Sequence, residues 1–168
     1  MNILEVQSKL IGFELPVVGF GNDAMESLRL PARMESLETF RLFVLEKLEQ
    51  FSAVQELVFK VELVLEEALT NVVHYAYPED AGEMEVGCTM DDQNRFCFCV
   101  KDWGIPFDPR QRPDPQMSED ISERQVGGLG IYLIRHLVDE LDYQWQGGGN
   151  IMTFCFNLRK TEDEYPKP

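Results

Sequence analysis

The sequence predicts an α+β fold, a two-layer sandwich in which a largely antiparallel, mixed sheet carries its helices on one face. Two features of the hydropathy pattern predict it. In some segments, which follow one another along the chain, apolar residues recur three and four positions apart, as in amphipathic helices. In other segments, which come in pairs joined by a turn, apolar and polar residues alternate, as in the strands of a hairpin. Hairpins favour antiparallel pairing, and grouped helices favour one layer over the sheet. The 168 residues are enough for one domain with a complete core.

The predicted elements follow from changes in period along the chain. They are, in order, a strand over 27–32, helices over 35–51 and 53–76, strands over 83–90 and 95–100, a helix over 129–140, and a closing hairpin of 142–146 with 151–158. A capping box of Ser52 and Gln55 predicts the start of the second helix, and Pro78 predicts its end. The third helix is opened by Gly127 and Gly128.

These elements place one domain at 26–158, between a weakly patterned lead-in over 1–25 and a charged tail over 159–168. Inside the domain, 103–126 shows no periodicity and contains four of the nine prolines. Such a segment in a compact domain is typically functional or mobile. The lead-in contains four apolar residues, Leu10, Ile11, Phe13 and Leu15. They are expected either to cover a homodimer interface or to pack on the chain's own sheet.

The charge of the chain excludes two classes of partner. It has 30 acidic and 15 basic residues, a formal net charge of −15. General nucleic-acid binding and binding to an anionic membrane both need clustered Lys and Arg, so neither is expected. Plain solubility or a basic protein partner would account for the charge. The longest uncharged stretch, 143–158, is too short and too polar to span a bilayer. No basic leader precedes an apolar run, so a cytoplasmic location is expected.

The four cysteines, at positions 88, 97, 99 and 155, do not have the spacing of metal ligands. Cys97 and Cys99 are two residues apart, so they share one face of any strand. This arrangement favours core filling over a disulfide framework. The prediction is therefore four reduced, structural thiols.

Chemistry is first indicated in the middle of the second helix. Glu67 and Asn71 are four residues apart, so their side chains lie on one helical face, separated by about 6 Å along the axis. That face is offset from the apolar stripe, which places the pair at the edge of the core. A carboxylate and an amide oxygen there can polarise a hydroxyl and bind a hard cation such as Mg²⁺. An ordinary polar pair at helical spacing is the alternative.

Two further segments indicate ligand contacts. Asp102 follows a strand predicted to be buried, where a carboxylate needs a partner, and Gly104 lets a flat ligand approach the backbone. An exocyclic amine such as that of adenine would satisfy the carboxylate, and a strand-ending turn is the alternative. The Gly-Gly-Leu-Gly run at 127–130 exposes backbone N–H groups at a helix start, which is typical of anion sites. This run matches neither the Rossmann nor the P-loop motif.

Together, the three segments resemble the boxes of the GHKL ATPase superfamily, and within it the anti-sigma-factor serine kinases of the RsbW type. Residues 66–78 (EEALTNVVHYAYP) are similar to that family's N box. Residues 101–109 (KDWGIPFDP) are similar to its adenine-binding box, and 127–134 (GGLGIYLI) to its glycine-rich phosphate box. The resemblance covers 26–158.

The resemblance implies a role for each site residue. Glu67 corresponds to the general base that prepares a protein serine hydroxyl for attack on the γ-phosphate of ATP, and Asn71 to the ligand of Mg²⁺. Asp102 corresponds to the acceptor for the adenine amino group, with Gly104 beside the base. The 105–126 segment corresponds to the nucleotide lid. The implied phosphate contacts come from one box: Gly127, Gly128, Leu129 and Gly130.

The function implied by the resemblance is that of an ATP-dependent serine protein kinase and anti-sigma regulator. Such a protein binds a sigma factor and phosphorylates a small anti-anti-sigma (STAS-like) protein. The alternative is a catalytically silent, ATP-gated protein-binding module. Glu67 favours the kinase, because ATP binding alone requires no base there. A histidine kinase is not expected because no histidine precedes His74, and a gyrase or chaperone type is not expected because ten residues follow Leu158.

Two positions depart from the family's pattern. In the N box, Tyr75 stands where other members often have histidine, and His74 comes one position earlier. Many members have a Gly-Thr pair before the last strand, whereas this chain has the stretch Asn150-Ile151-Met152-Thr153 there. A contact of Thr153 with a nucleotide is therefore left open.

Overall fold

The structure, a computed structural model, describes residues 25–51, 53–79, 81–113 and 129–158. Five strands and three α-helices lie in these ranges: β1 (Glu26–Pro31), α1 (Leu37–Glu49), α2 (Gln55–Asn71), β2 (Glu83–Met90), β3 (Arg95–Asp102), α3 (Leu129–Leu137), β4 (Glu140–Gln146) and β5 (Gly149–Asn157). None of the helices in these ranges is long and apolar enough to cross a bilayer.

The strands form one sheet in the order β1-β2-β3-β5-β4, and all four neighbouring pairs are antiparallel. The predicted α+β class with a largely antiparallel sheet is confirmed. Because β5 lies between β3 and β4, the last of the described strands joins the two hairpins. In this register Asp102, the last residue of β3, lies opposite Asn150 near the start of β5.

One face of the sheet packs against the helices. Alternate residues of β3, namely Phe96, Phe98 and Val100, belong to the same buried cluster as the apolar stripes of the helices. An apolar stripe and an apolar sheet face each need a partner, and the two-layer arrangement supplies both. The helical members of the cluster lie at the predicted spacings of three and four: Phe40, Val44 and Leu48 in α1, Val61, Val64 and Ala68 in α2, and Ile131 and Ile134 in α3.

The second helix begins differently from the prediction. It starts at Gln55, with Val54 in an extended conformation as its N-cap and no side-chain cap. Since Gln55 is the first helical residue, the predicted capping box is not formed, and Ser52 lies outside the described residues. The helix is regular to Asn71, and a π-helical turn over Val72–Ala76 then carries it to its predicted end.

The third helix is shorter than predicted and ends at Leu137. Asp139 accounts for the difference. Its N–H donates to the carbonyl of Cys155 at 2.9 Å, and its carboxylate accepts from the N–H of Asn157 at 2.8 Å. Both partners lie on β5, so the chain joins the sheet and β4 begins at Glu140.

The prediction of four reduced cysteines is wrong for one pair. Cys97 on β3 and Cys155 on β5 lie opposite each other in the register and form a disulfide. By the alternation of β3, this pair and Cys99 lie on the sheet face away from the helices. Cys99 and Cys88 remain buried free thiols. Spacing alone could not reveal the pair, because its members are 58 residues apart and meet only through strand pairing.

The disulfide gives a direct prediction for thiol titration. In denaturant without reductant, two of the four cysteines should react, Cys88 and Cys99, and all four should react after reduction. Because the bond closes a long loop, Cys97→Ser should lower the free energy of unfolding by about 2–4 kcal/mol. In the control Cys88→Ser, one thiol should react before reduction. Four reactive thiols in the unreduced wild type would contradict the disulfide.

Candidate functional site

Glu67 lies on α2 at its contact with the first turn of α3. A Cβ added to Gly130 would lie 2.2 Å from Oε2 of Glu67, so this half-buried carboxylate rests directly on the Gly130 backbone. Gly130 is the second described residue of α3, in the N-terminal half of the helix. The helix dipole favours a carboxylate at this end. The structure thus brings together two residues that the sequence placed in separate motifs.

Asn71 lies one turn further along α2. Its side-chain nitrogen Nδ2 is buried and has no hydrogen-bond partner among the described residues. Buried polar groups are nearly always paired, so an unpaired donor indicates a missing acceptor. A phosphate oxygen would supply it, and the amide oxygen Oδ1 would be left for a cation. α2 also changes to a π turn directly after Asn71, a distortion that is frequent at functional sites.

Asp102 ends β3 and is 2% exposed. Its Oδ1 atom accepts hydrogen bonds from the N–H of Gly104 at 2.9 Å and from Nδ2 of Asn150 at 2.8 Å. Burial raises the pKa of this carboxyl, while the two hydrogen bonds act in the opposite direction. Within the described ranges no group donates to Oδ2, which leaves this oxygen as an acceptor for a ligand.

The turn after β3 packs against the π turn that follows α2. A Cβ on Gly104 would lie 2.2 Å from the carbonyl oxygen of Ala76, so only glycine fits this approach. The N–H of Ile105 donates to the same oxygen at 3.0 Å. The structure therefore gives Gly104 a packing role that the sequence did not predict. The same contacts hold the end of β3 against the helix that carries Glu67.

The sequence reasoning missed Asn150 as a site residue. This side chain is buried, lies on the helix side of β5 and donates to Asp102. Thr153 lies three residues further along, opposite Cys99 in the register, and is therefore on the sheet face away from the helices. The available signal was the absence, before the last strand, of the Gly-Thr pair that many members of the resembling family have.

Comparison with known proteins adds a sequence match over most of the domain. Residues 30–156 match the profile of the histidine kinase-like ATPase domain. The chain belongs to this family. Serine-protein kinases RsbW from Bacillus cereus (strain AH820) and Bacillus anthracis are 27% identical over 145 residues, which are 84% of this chain and 90% of each relative.

A solved structure of the RsbU and RsbW domains of a Mycobacterium tuberculosis protein has a similar fold. The TM-score is 0.55 at 18% sequence identity, and the match covers 79% of this chain and 32% of that longer chain. At this identity the likeness concerns the fold alone, and it agrees with the α+β arrangement described above.

Membership of the histidine kinase-like ATPase family implies ATP as the ligand. The described side chains fit such a ligand. Asp102 has an oxygen without a donor, which suits an amino group, and Asn71 has a buried donor without an acceptor, which suits a phosphate. Asp102 lies on the sheet face that packs against the helices, the layer to which Asn71 belongs.

The first part of the predicted lid, over 105–113, is attached to this ATPase domain. The N–H of Phe107 donates to Oδ1 of Asn150 at 2.9 Å. Near the other end, Arg135 of α3 donates to the carbonyl oxygen of Arg112 at 2.6 Å. Contacts with β5 and with α3 therefore fix both ends of this part.

The glycine-rich box of the ATPase domain is described only in part. Gly127 and Gly128, like the second part of the predicted lid over 114–126, lie outside the described residues. Leu129 is the first described residue of α3 and is 55% exposed. Of this box, Gly130 has a contact with the site, through Glu67.

Proposed function

We propose that this chain is an ATP-dependent serine protein kinase whose catalytic domain spans 26–158. The observation that carries the proposal is the contact of Glu67 with Gly130 at the start of α3, one turn from Asn71. Phosphates bind at helix N-termini, so a carboxylate at this position is well placed to act on a phosphoryl acceptor. ATP binding alone requires no base there. Relatives named serine-protein kinase support the same activity.

In this proposal each side chain has a separate task. Asp102 accepts a hydrogen bond from the adenine amino group beside Gly104. Asn71 would hold Mg²⁺ through its amide oxygen, and the bound ion would supply charge neutralisation at the phosphates. Glu67 accepts the proton of the substrate serine while the serine oxygen bonds to the γ-phosphorus and the bond from that phosphorus to the bridging oxygen of ADP breaks. Positioning and charge stabilisation supply most of such catalysis.

The backbone of the glycine-rich box completes the proposed phosphate site. The N–H groups at a helix start point along the positive end of the dipole, which favours the negative charge of the phosphates. The proposed contacts come from Gly127, Gly128, Leu129 and Gly130.

The proposed partners are a small anti-anti-sigma (STAS-like) substrate and a sigma factor, in the cytoplasm, as the resemblance to RsbW-type kinases implies. A net charge of −15 is complementary to a basic partner, and charge complementarity favours fast and specific association. The chain would then regulate transcription through a protein contact rather than through nucleic acid.

The experiment that tests the kinase proposal uses γ-labelled ATP, Mg²⁺ and an extract of the cells that produce the protein. Wild type should label a small protein on an acid-stable phosphoserine, and Glu67→Gln should not. Glu66→Gln is the matched control, because Glu66 is the exposed neighbour on the same helix and should label as wild type does. Measurable ATP binding without any label would contradict the kinase and favour an ATP-gated binding module. Absence of ATP binding would contradict both.

A further inference from the structure

Asn150 uses its whole hydrogen-bonding capacity inside the protein. It is 2% exposed. Its Nδ2 atom donates to Oδ1 of Asp102 at 2.8 Å and to the carbonyl of Ile105 at 2.9 Å. Its Oδ1 atom accepts from the N–H of Phe107 and the hydroxyl of Tyr143, both at 2.9 Å. An asparagine side chain has two donors and two acceptor lone pairs, so all four are occupied.

These bonds allow one orientation of the amide. In the flipped orientation, the amide oxygen would face the carboxylate of Asp102 and the carbonyl of Ile105, both of which are acceptors, and the NH₂ group would face the N–H of Phe107. The observed orientation therefore joins β3, β5 and the 105–107 segment at one point.

The consequence for Asp102 is that one carboxylate oxygen is fixed and the other is left for a ligand. Asn150 and the N–H of Gly104 both donate to Oδ1, and no described group donates to Oδ2. An ionised carboxylate accepts hydrogen bonds and cannot donate them. Oδ2 therefore suits the 6-amino group of adenine and repels the 6-oxo group of guanine.

We propose that Asn150 is a positioning residue that fixes Asp102 and the 105–107 segment for recognition of the adenine amino group. It thereby sets the preference for adenine over guanine nucleotides. This inference rests on the proposed function, because it needs ATP as the ligand. Asn150 acts through Asp102 rather than on the nucleotide itself.

The test compares affinities for ATP and GTP, by titration calorimetry, between wild type and Asn150→Ala. A hydrogen bond to a charged, buried acceptor is lost, so ATP affinity should fall by about 10- to 100-fold, while GTP affinity should change little. Asn150→Ser keeps one donor and should lie between the two proteins. Tyr143→Phe removes only the hydroxyl that donates to Oδ1 of Asn150, so it should keep most of the ATP preference.

A double-mutant cycle with Asp102→Ala separates positioning from a general structural role. If Asn150 acts through Asp102, Asn150→Ala should cause little further loss of ATP affinity once Asp102 is replaced. The inference would be overturned, while the proposed function stands, if Asn150→Ala lowered ATP affinity equally in wild type and in Asp102→Ala. It would also be overturned if the ratio of ATP to GTP affinity were unchanged in Asn150→Ala and Asn150→Ser. A wild type that binds no ATP would overturn both.

Discussion

Asp102→Asn is expected to weaken ATP binding strongly while leaving the fold at least as stable as in wild type. The asparagine oxygen can still accept from the N–H of Gly104 and from Asn150, so the turn after β3 keeps its bonds. At the position of Oδ2, however, the substitution places an NH₂ donor where the proposed adenine amino group needs an acceptor. The variant loses a hydrogen bond to a charged acceptor, and its new NH₂ group faces the amino group of adenine, which is also a donor. The affinity for ATP should therefore fall by roughly 100-fold or more. Titration calorimetry with ATP measures this loss.

The expected stability follows from the direction of the pKa shift. Burial raises the pKa of Asp102 in the folded protein, so the folded state binds this proton more tightly than the unfolded state. The stabilisation that this group contributes is then fully present below its unfolded pKa and is lost as the pH rises through its folded pKa. At neutral pH the ionised carboxylate therefore lowers the free energy of unfolding, and a neutral asparagine removes that cost.

Urea unfolding of both proteins across the acid range tests this sign. The stability of Asp102→Asn relative to wild type should increase as the pH rises through the folded pKa of Asp102. Asp92→Asn, which removes one negative charge from the exposed turn between β2 and β3, is the control for the change in net charge. Undiminished ATP affinity in Asp102→Asn would remove this residue from the nucleotide site. A large loss of stability at neutral pH would mean that Asp102 is structural.

The elements that the sequence predicts well are those whose signal is local. β2 has its predicted bounds, Glu83–Met90, because alternation over eight residues is sufficient to define a strand. The spacing of Glu67 and Asn71 on one helix likewise fixes their common face, whatever the rest of the chain does. The predicted start of the second helix was wrong because it depended on the spacing of Ser52 and Gln55 alone. This spacing is that of a capping box, but the helix begins at Gln55 itself.

The features that the sequence did not predict depend on the pairing of β3 with β5. Asn150 meets Asp102 across 48 positions, and Cys97 meets Cys155 across 58. Both contacts follow from a register that places the two strands side by side, and no local pattern specifies this register. In the sequence, Asn150 is only the residue after a run of glycines. Its four hydrogen bonds come from three separate segments of the chain.

Glu67→Gln is expected to lower phosphoryl transfer by roughly 10²- to 10⁴-fold, the usual contribution of a general base. Glutamine has nearly the same shape as glutamate, so it should keep the contact with Gly130 at the start of α3. It cannot accept the proton of the substrate serine. ATP affinity should therefore change little while the rate of phosphate transfer falls. The rate is measured under single-turnover conditions with the phosphorylated partner protein.

The contact with Gly130 also suggests a second role for Glu67, that of anchoring the start of α3. The same experiment distinguishes this role from that of a general base. If Glu67 only anchors the start of α3 through the helix dipole, loss of its charge should weaken ATP binding and stability, and the transfer rate at saturating ATP should remain. If Glu67 is the base, the rate should fall and the affinity should remain. Glu66→Gln removes the same charge from the exposed side of α2, one residue away, and should change neither quantity. A full transfer rate in Glu67→Gln would therefore contradict the catalytic assignment, whatever happens to ATP affinity.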